Sequence, residues 1–323
     1  MKIRDFEIVN PVFLAPMAGV ADKAFRELCM KNGAGACVGE MVSAKGVTMG
    51  DRKSRELMLL SDMEHPAAIQ IFGCDPKTMA EAAVSALEFC PDYIDINMGC
   101  PAPKIVKNGG GSALSKNPRL AGEIVKAVVN AVPVPVTVKI RKGWDAENTT
   151  AVEMAKYAED NGASMITVHG RTREQMYSPP VDLDIIAQVK RSVSVPVIGN
   201  GDIVDGISAK NMLDYTGVDG IMIGRGALGR PWVFSAVNAY LSDGVILPEP
   251  TPEEKMGIML SHIRKICEYK GEHIGINESR KHAVWYTKGI RNSSAFRLRL
   301  SLVKSMDELE TLANEIILAS SNE

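Results

Sequence analysis

The chain has 323 residues, enough for one large domain and a smaller one. Its 46% hydrophobic and 24% charged residues are the mix of a water-soluble globular protein, and no apolar run approaches membrane-spanning length. A net charge of −2 excludes a globally basic nucleic-acid binder, so any surface for a polyanion must be local.

The opening stretch Met1-Lys2-Ile3-Arg4-Asp5 lacks the apolar core of a signal peptide. Cys29, Cys37, Cys74, Cys90, Cys100 and Cys267 form no CxxC pair and no framework spacing. That pattern points to reduced thiols in a cytoplasmic protein and argues against a zinc site, so no metal is expected.

From the start to about residue 240, short β-branched apolar runs alternate with amphipathic segments. The expected strands are 12–15, 36–42, 68–72, 93–97, 134–140, 165–169, 195–199 and 220–223. The expected helices are 22–31, 76–89, 118–131, 149–161, 182–191 and 205–215. Several open on a capping residue followed by proline, as at Asp75-Pro76 and Asn117-Pro118. Eight strands alternating with helices predict parallel βα units and a TIM barrel spanning residues 1–242. A doubly wound open sheet is the alternative, but the first strand lacks the GxGxxG turn of a dinucleotide fold.

Barrel chemistry sits where strands end. Those ends carry Pro16-Met17-Ala18-Gly19, Gln70, Asn97, Lys139 and Arg141, His169-Gly170-Arg171, Asn200-Gly201-Asp202 and Gly224-Arg225-Gly226. Taken singly, each has a bland explanation: a satisfied core amide, a lysine reaching out of the barrel mouth, a structural histidine. Together they recur at one rim. The last two loops stand where barrels bind phosphate through glycine N–H groups, and Arg225 adds a forked donor. Lys139 would hold negative charge on a ring, and Gln70 would pair with a pyrimidine edge. Flavin mononucleotide, FMN, meets these demands.

The fourth strand leads into Asp95-Ile96-Asn97-Met98-Gly99-Cys100-Pro101, then Pro103, Lys104, Asn108 and Gly109 to Gly111, read as a loop. Cys100 there is either a small buried hydrophobe or a reactive thiol facing a cavity.

After Tyr240 a turn-rich linker, Asp243-Gly244 to Pro252, precedes helices expected at 252–270, 278–289, 293–302 and 306–320, a second unit of residues 251–323. Between residues 260 and 304 ten Lys and Arg face three Glu, an excess of seven, with Tyr269, Trp285, Tyr286 and Phe296 interleaved. Such a patch is a footprint for a polyanion, or a solvated helical face.

Ala15-Pro16-Met17-Ala18-Gly19, Asn97-Met98-Gly99-Cys100-Pro101, Val138-Lys139-Ile140-Arg141, Val168-His169-Gly170-Arg171, Asn200-Gly201-Asp202 and Gly224-Arg225-Gly226 resemble the tRNA-dihydrouridine synthases. The resemblance runs from the first strand to Arg280-Lys281-His282, and length and motif placement are most similar to the bacterial B-type members. It implies a flavin-bearing barrel, a helical domain that grips tRNA, and NADPH as electron donor. It places flavin contacts on Pro16, Met17, Ala18, Gln70, Lys139, Asn200, Gly201, Asp202, Gly224 and Arg225, with His169 in that set or facing the uracil. It makes Cys100 the proton donor, with Asn97 beside the base and Arg171 on the substrate side. The tRNA contacts expected on the tail are Arg280, Lys281, Lys288 and Arg291, outside the barrel.

The implied reaction reduces uracil at C5–C6, with NADPH reducing FMN, a hydride from the flavin and a proton from Cys100. Two other functions compete: a small-molecule flavin reductase of the dihydroorotate type, and a non-catalytic RNA-binding protein. The basic tail counts against the first and the flavin-type rim against the second. No protein partner is expected.

Overall fold

The computed structural model describes residues 1–4 and 6–321. Asp5 of the opening stretch and residues 322–323 of the expected helical unit lie outside the described residues. Eight parallel strands form the frame: β1 (Val12–Leu14), β2 (Ala36–Val38), β3 (Ala67–Phe72), β4 (Tyr93–Met98), β5 (Val136–Gly143), β6 (Met165–Thr172), β7 (Val197–Asn200) and β8 (Gly220–Ile223). Each pairs with the next, and β8 pairs with β1, so the sheet closes into a barrel. Closure puts alternate side chains inside and gathers the strand ends into one mouth. At the other end an antiparallel hairpin of Lys2–Ile3 and Phe6–Glu7 precedes Ile8. Ile3 and Ile8 fill the barrel interior with Phe13, Tyr93, Ile198 and Met222.

The helices lie outside: α1 (Lys23–Lys31), α2 (Pro76–Ala86), α3 (Pro118–Ala131), α4 (Ala151–Asp160), α5 (Leu183–Ser192), α6 (Gly206–Thr216) and α7 (Val233–Asp243). The capping signals act as their chemistry dictates: Asp22, Asp75, Asn117, Asp182 and Asp205 each accept from a backbone N–H three residues on.

Four expectations change. The run 36–42 is broken into Ala36–Val38 and Val42–Ser43, because Glu40 turns aside to take the Gly19 N–H. The segment after Cys100 is helical over Pro103–Lys107, with proline pre-setting the first turn and Gly109 (φ +80°) ending it. The fifth strand begins at Val136 rather than 134, since Pro133 and Pro135 lack the N–H a ladder needs, and it continues through Lys142 to Gly143. Helix α7 and the short helices Ala44–Thr48 and Arg52–Leu57 were not expected.

Beyond the barrel come α8 (Pro252–Lys270), α9 (Glu272–Tyr286), α10 (Ser294–Leu300) and α11 (Met306–Ser321). They share an apolar cluster that includes Met256, Ile263, Ile276, Leu309 and Ile316, with Trp232 joining from the barrel side. Helix α9 starts at Glu272, not 278. Gly275 does not break it but lets α8 come close, since a side chain there would lie 2.8 Å from the Cys267 sulfur. Helix α1 seals the seam. Its Phe25 ring packs on His262 and His282, Glu27 accepts from the Tyr269 hydroxyl at 2.6 Å, and Asp22 pairs with Lys270 at 3.2 Å. Among the described residues no helix is long and apolar enough to cross a membrane.

Arg26 of α1 is 2% exposed and pairs with the fully buried Glu64, which precedes β3, while also donating to the carbonyls of Ala21 and Leu59. Removing one partner strands a buried charge. Glu64→Ala should lower unfolding free energy by about 3–5 kcal/mol. A denaturant midpoint equal to the parent's would show that the pair is not holding α1 to the barrel.

Candidate active site

The mouth is built on a run of side chains at one level of the sheet. Gln70, Asp95 and Thr137 are register partners on β3, β4 and β5. Asp95 accepts from Gln70 Nε2 at 2.6 Å and from Thr137 Oγ1 at 2.5 Å. Gln70 Oε1 accepts from Asn97 Nδ2 at 2.9 Å. Asn97 Oδ1 in turn accepts the backbone N–H groups of Gly99 and Cys100, at 3.2 and 2.9 Å. The chain ends on the half-buried Cys100. Gly111 (φ +57°) wraps behind it, where a side chain would lie 2.6 Å from the Cys100 carbonyl oxygen. Burial raises the Cys100 thiol above its ordinary value, against the pull of the Ala102 N–H and of Arg141 and Lys139.

Cations converge on the same mouth. Lys139 on β5 donates to Asn200 Oδ1 at 2.9 Å, and Asn200 Nδ2 is anchored on the Met222 carbonyl at 2.8 Å. Arg141 donates to the carbonyls of Gly99, Thr172 and Met176 at 2.7–3.1 Å, bracing the Cys100 loop. Arg171 is 2% exposed and is held by Asp202 and the Pro179 carbonyl. Arg225 meets the other Asp202 oxygen at 3.2 Å and stacks over the Tyr177 ring at 4.6 Å. His169 lies in their midst with Nε2 3.4 Å from an Arg171 nitrogen. A guanidinium only donates, so that nitrogen accepts and the ring is neutral. Burial, then Lys139 and the arginines, hold His169 well below the ordinary histidine value. Burial likewise pulls Lys139 down to about 7, with Arg141 adding repulsion.

Loops one and eight meet: a side chain at Gly224 would touch Ala15 Cβ and the Met17 sulfur at 3.6 and 3.8 Å. Pro16 and Met17 are half-buried there, and Ala18 is exposed. Gly201 (φ +131°) closes on the His169 ring. Helix α9 lies across this part of the rim. Lys281 Nζ sits 3.1 Å from where a Gly19 side chain would begin, and the Trp285–Tyr286 backbone covers Gly229. Lys281, on the tail and outside the barrel, thus reaches the barrel mouth.

The expected residues therefore come together, with changed duties for some. Gln70 and Asn200 spend their amide oxygens on Asn97 and Lys139, and the Asp202 carboxylate is engaged by two arginines and the Val181 N–H. Arg171 is buried rather than turned outward. Arg280 donates to the Val303 carbonyl at 2.9 Å, whereas Lys281, Lys288 and Arg291 are exposed. The basic excess of 260–304 is smaller in space than in sequence. Arg264 and Arg299 pair with Glu310 and Glu315 of α11, which lie outside the counted stretch. Arg141, Asp95, Thr137 and Glu40 belong to the site but were given no role from sequence. A charged or acid residue inside an apolar strand was the available signal.

A closed βα barrel whose mouth gathers a lysine, three arginines, an imidazole and a thiol defines the class as a TIM-barrel protein with its polar groups at the strand ends. A profile of the family described as dihydrouridine synthase (Dus) matches residues 13–322. The chain is 45% identical over 313 residues to tRNA-dihydrouridine synthase B of Vibrio vulnificus (strain CMCP6), covering 97% of each. It is 44% identical over 304 residues to the probable tRNA-dihydrouridine synthase of Rickettsia conorii, covering 94% of this chain and 92% of that one. This chain belongs to the dihydrouridine synthase family. Among solved structures, histamine dehydrogenase from Rhizobium sp. 4-9 matches with a TM-score of 0.61 at 13% identity, over 100% of this chain and 64% of that one. A morphinone reductase in complex with tetrahydroNAD matches at 0.54 and 14%, over 79% and 92%. At these identities the two share the fold.

The depressed Lys139 gives a sign that can be tested. The folded chain holds this proton more weakly than the unfolded chain, where the value is about 10.4. Burying the charge therefore costs stability in full below about pH 7, and the cost is relieved as pH rises toward about 10. In ligand-free protein, Lys139→Met should melt above the parent at about pH 6, and the gap should narrow by about pH 9. Thermal melts at both pH values check this; a variant that melts below the parent at the lower pH contradicts it.

Proposed function

We propose that this chain reduces specific uridines of tRNA to 5,6-dihydrouridine, with FMN in the barrel mouth and NADPH as electron donor. The observation that carries the reading is Cys100 at the mouth beside Lys139: its backbone N–H ends a chain of hydrogen bonds, and burial raises its thiol above the ordinary value. Family membership supplies the substrate class.

The residues fit a flavin phosphate and ring. Lys139, Arg141, Arg171 and Arg225 crowd one mouth, and a carboxylate, Asp202, bonds only the last two, an arrangement that favours an anion. Gly201 and Gly224 let backbone come close, with Asn200, the Asp202 backbone and Arg225 around the phosphate. Pro16, Met17 and Ala18 would border the ring, Gln70 would offer it an N–H, and Lys139 and His169 would lie against it. Bound there, FMN supplies a hydride for one carbon of the uracil C5–C6 bond. Cys100 delivers the proton to the other carbon, and its raised pKa keeps the thiol protonated at neutral pH. Asn97 Nδ2 has a second N–H for a base carbonyl. Arg171 acts on the substrate side by fixing the His169 and Asp202 surroundings.

The uridine must leave its stack to enter the mouth. Residues 1–242 then form the catalytic unit, and residues 251–323 hold the RNA in the cytoplasm, where tRNA is found. Helix α9 carries Lys281 at the rim and Lys288 follows in the turn after its last residue, Tyr286, so this segment is the surface proposed for RNA; Arg280 and Arg291 extend it. A small-molecule reductase has no use for a tail helix that sets a lysine over its mouth.

Mapping dihydrouridine across total tRNA from a strain lacking this protein tests the reading; an unchanged map refutes it. Cys100→Ala should keep its flavin and oxidise NADPH but form no dihydrouridine. In the parent, product formation should hold through neutral pH and fall as pH rises past the ordinary thiol range, since the acid form is lost there. Normal product from the alanine variant would remove Cys100 from its role.

If Lys281 and Lys288 contact phosphates, each displaced counterion steepens the loss of affinity with salt. Changing both to Ala should weaken tRNA binding and lower the slope of log affinity against log salt by about 1–2. An unaltered slope, measured at several salt concentrations, would exclude these two lysines as phosphate contacts.

A further inference from the structure

Asp95 is a carboxylate inside the barrel, 2% exposed, whose bonded partners are two neutral side chains. Lys139 is the cation near it, but Lys139 bonds to Asn200 instead. Such a group is costly unless fully hydrogen-bonded, and an apolar residue of similar size would fill the same space at lower cost. Nothing in the proposed chemistry uses Asp95 directly. Its position in the hydrogen-bond chain is what distinguishes it.

An ionised carboxylate only accepts hydrogen bonds. Gln70 must therefore turn its NH2 toward Asp95, which leaves its oxygen facing Asn97. Asn97 must then turn its own NH2 toward Gln70, which leaves its oxygen facing the loop. That oxygen takes the N–H groups of Gly99 and Cys100, which only donate. An amide can present either end to a neighbour, so two amides in series have no preferred direction of their own. An acceptor at one end of this series and donors at the other impose a single direction. Reversing either amide would set oxygen against oxygen or NH2 against N–H.

We propose that Asp95 is a positioning residue for uridine reduction: through Gln70 and Asn97 it fixes the direction of the amide chain that ends on the Cys100 backbone, and so holds the thiol in place. This rests on the functional reading above. It also means that Asn97 meets the base as a donor, because both lone pairs of its oxygen are spent on the loop. Burial raises the Asp95 pKa, and the bonds from Gln70 and Thr137 oppose that rise; the Gln70 NH2 meets an accepting carboxyl oxygen in the chain described.

The test compares Asp95→Leu, which has no acceptor, with Asp95→Asn, which keeps one. The asparagine can accept from Gln70 through Oδ1 while its Nδ2 faces the Thr137 hydroxyl oxygen, so the chain keeps its direction. Dihydrouridine formation at saturating tRNA and NADPH oxidation with an artificial acceptor are measured on flavin-loaded protein. In Asp95→Leu the kcat for dihydrouridine should fall by about a hundredfold, the effect of misplacing a reacting group, with KM for tRNA unchanged. NADPH oxidation should fall at least tenfold less. Asp95→Asn should stay within about tenfold of the parent, and Asp95→Leu/Asn97→Ala should be no worse than Asn97→Ala, because both changes break one chain. The proposal is overturned if product formation and NADPH oxidation fall by the same factor in Asp95→Leu, or if the losses in the double variant multiply. A well-folded Asp95→Asn with more than a tenfold loss overturns it too, and this arm stands even where the leucine variant does not fold. A parent enzyme that makes no dihydrouridine while the variants still alter NADPH oxidation would sink the functional reading, and this proposal with it.

Discussion

A closed barrel has no sheet edge, and the same closure means that a polar side chain pointing inward must find its partner inside. Asp95 meets that demand through register. Parallel pairing brings Gln70 and Thr137 level with it from chain positions 25 and 42 residues away. Once those two bonds exist, the direction of every later bond toward Cys100 is set. Strand register and amide orientation are therefore one constraint on the loop that carries Cys100, and the geometry proposed for the reaction starts from the barrel strands.

The second organising force is the burial of positive charge, to which mutual repulsion adds. Lys139 is drawn down to about 7 and Arg141 to about 10, and His169 is kept neutral. Asp202 relieves part of this by joining Arg171 to Arg225, and Asn200 gives Lys139 a neutral partner. Cations whose charge is disfavoured are the ones that gain most when an anion arrives. The mouth's preference for a negatively charged ligand follows from its own crowding as much as from hydrogen-bond donors.

Much of this was legible in sequence, and the failures have physical causes. Periodicity gave the eight βα units, and capping residues placed the helix starts to within a residue or two, because those signals are local. Glu40 was lost inside a strand expectation because its partner, the Gly19 N–H, lies 21 residues earlier and on another loop. The start of α9 was placed six residues late, at 278, because no side-chain cap marks Glu272, and Gly275 within the helix serves a close approach to Cys267 that only tertiary packing reveals. The basic excess of the tail was overcounted because Glu310 and Glu315, which neutralise two of its arginines, come from a helix outside the counted window. Arg141 and Asp95 sat in plain view in their strands, but their work is defined by atoms on neighbouring strands. Cys100, Lys139 and Arg225 were recognisable because their residue type alone narrows the chemistry.

Helix α9 gives the two domains a shared element. It sets Lys281 over Gly19 and its last turn over Gly229, so one rigid rod bears on the first and last loops of the barrel. The first of these loops is also held from inside by Glu40. Thermodynamic linkage is reciprocal: whatever shifts the rod shifts the loops, and whatever orders the loops is felt by the rod. With the ligand sites proposed above, at the mouth and on this helix, the shared element is where occupancy of one would be felt by the other.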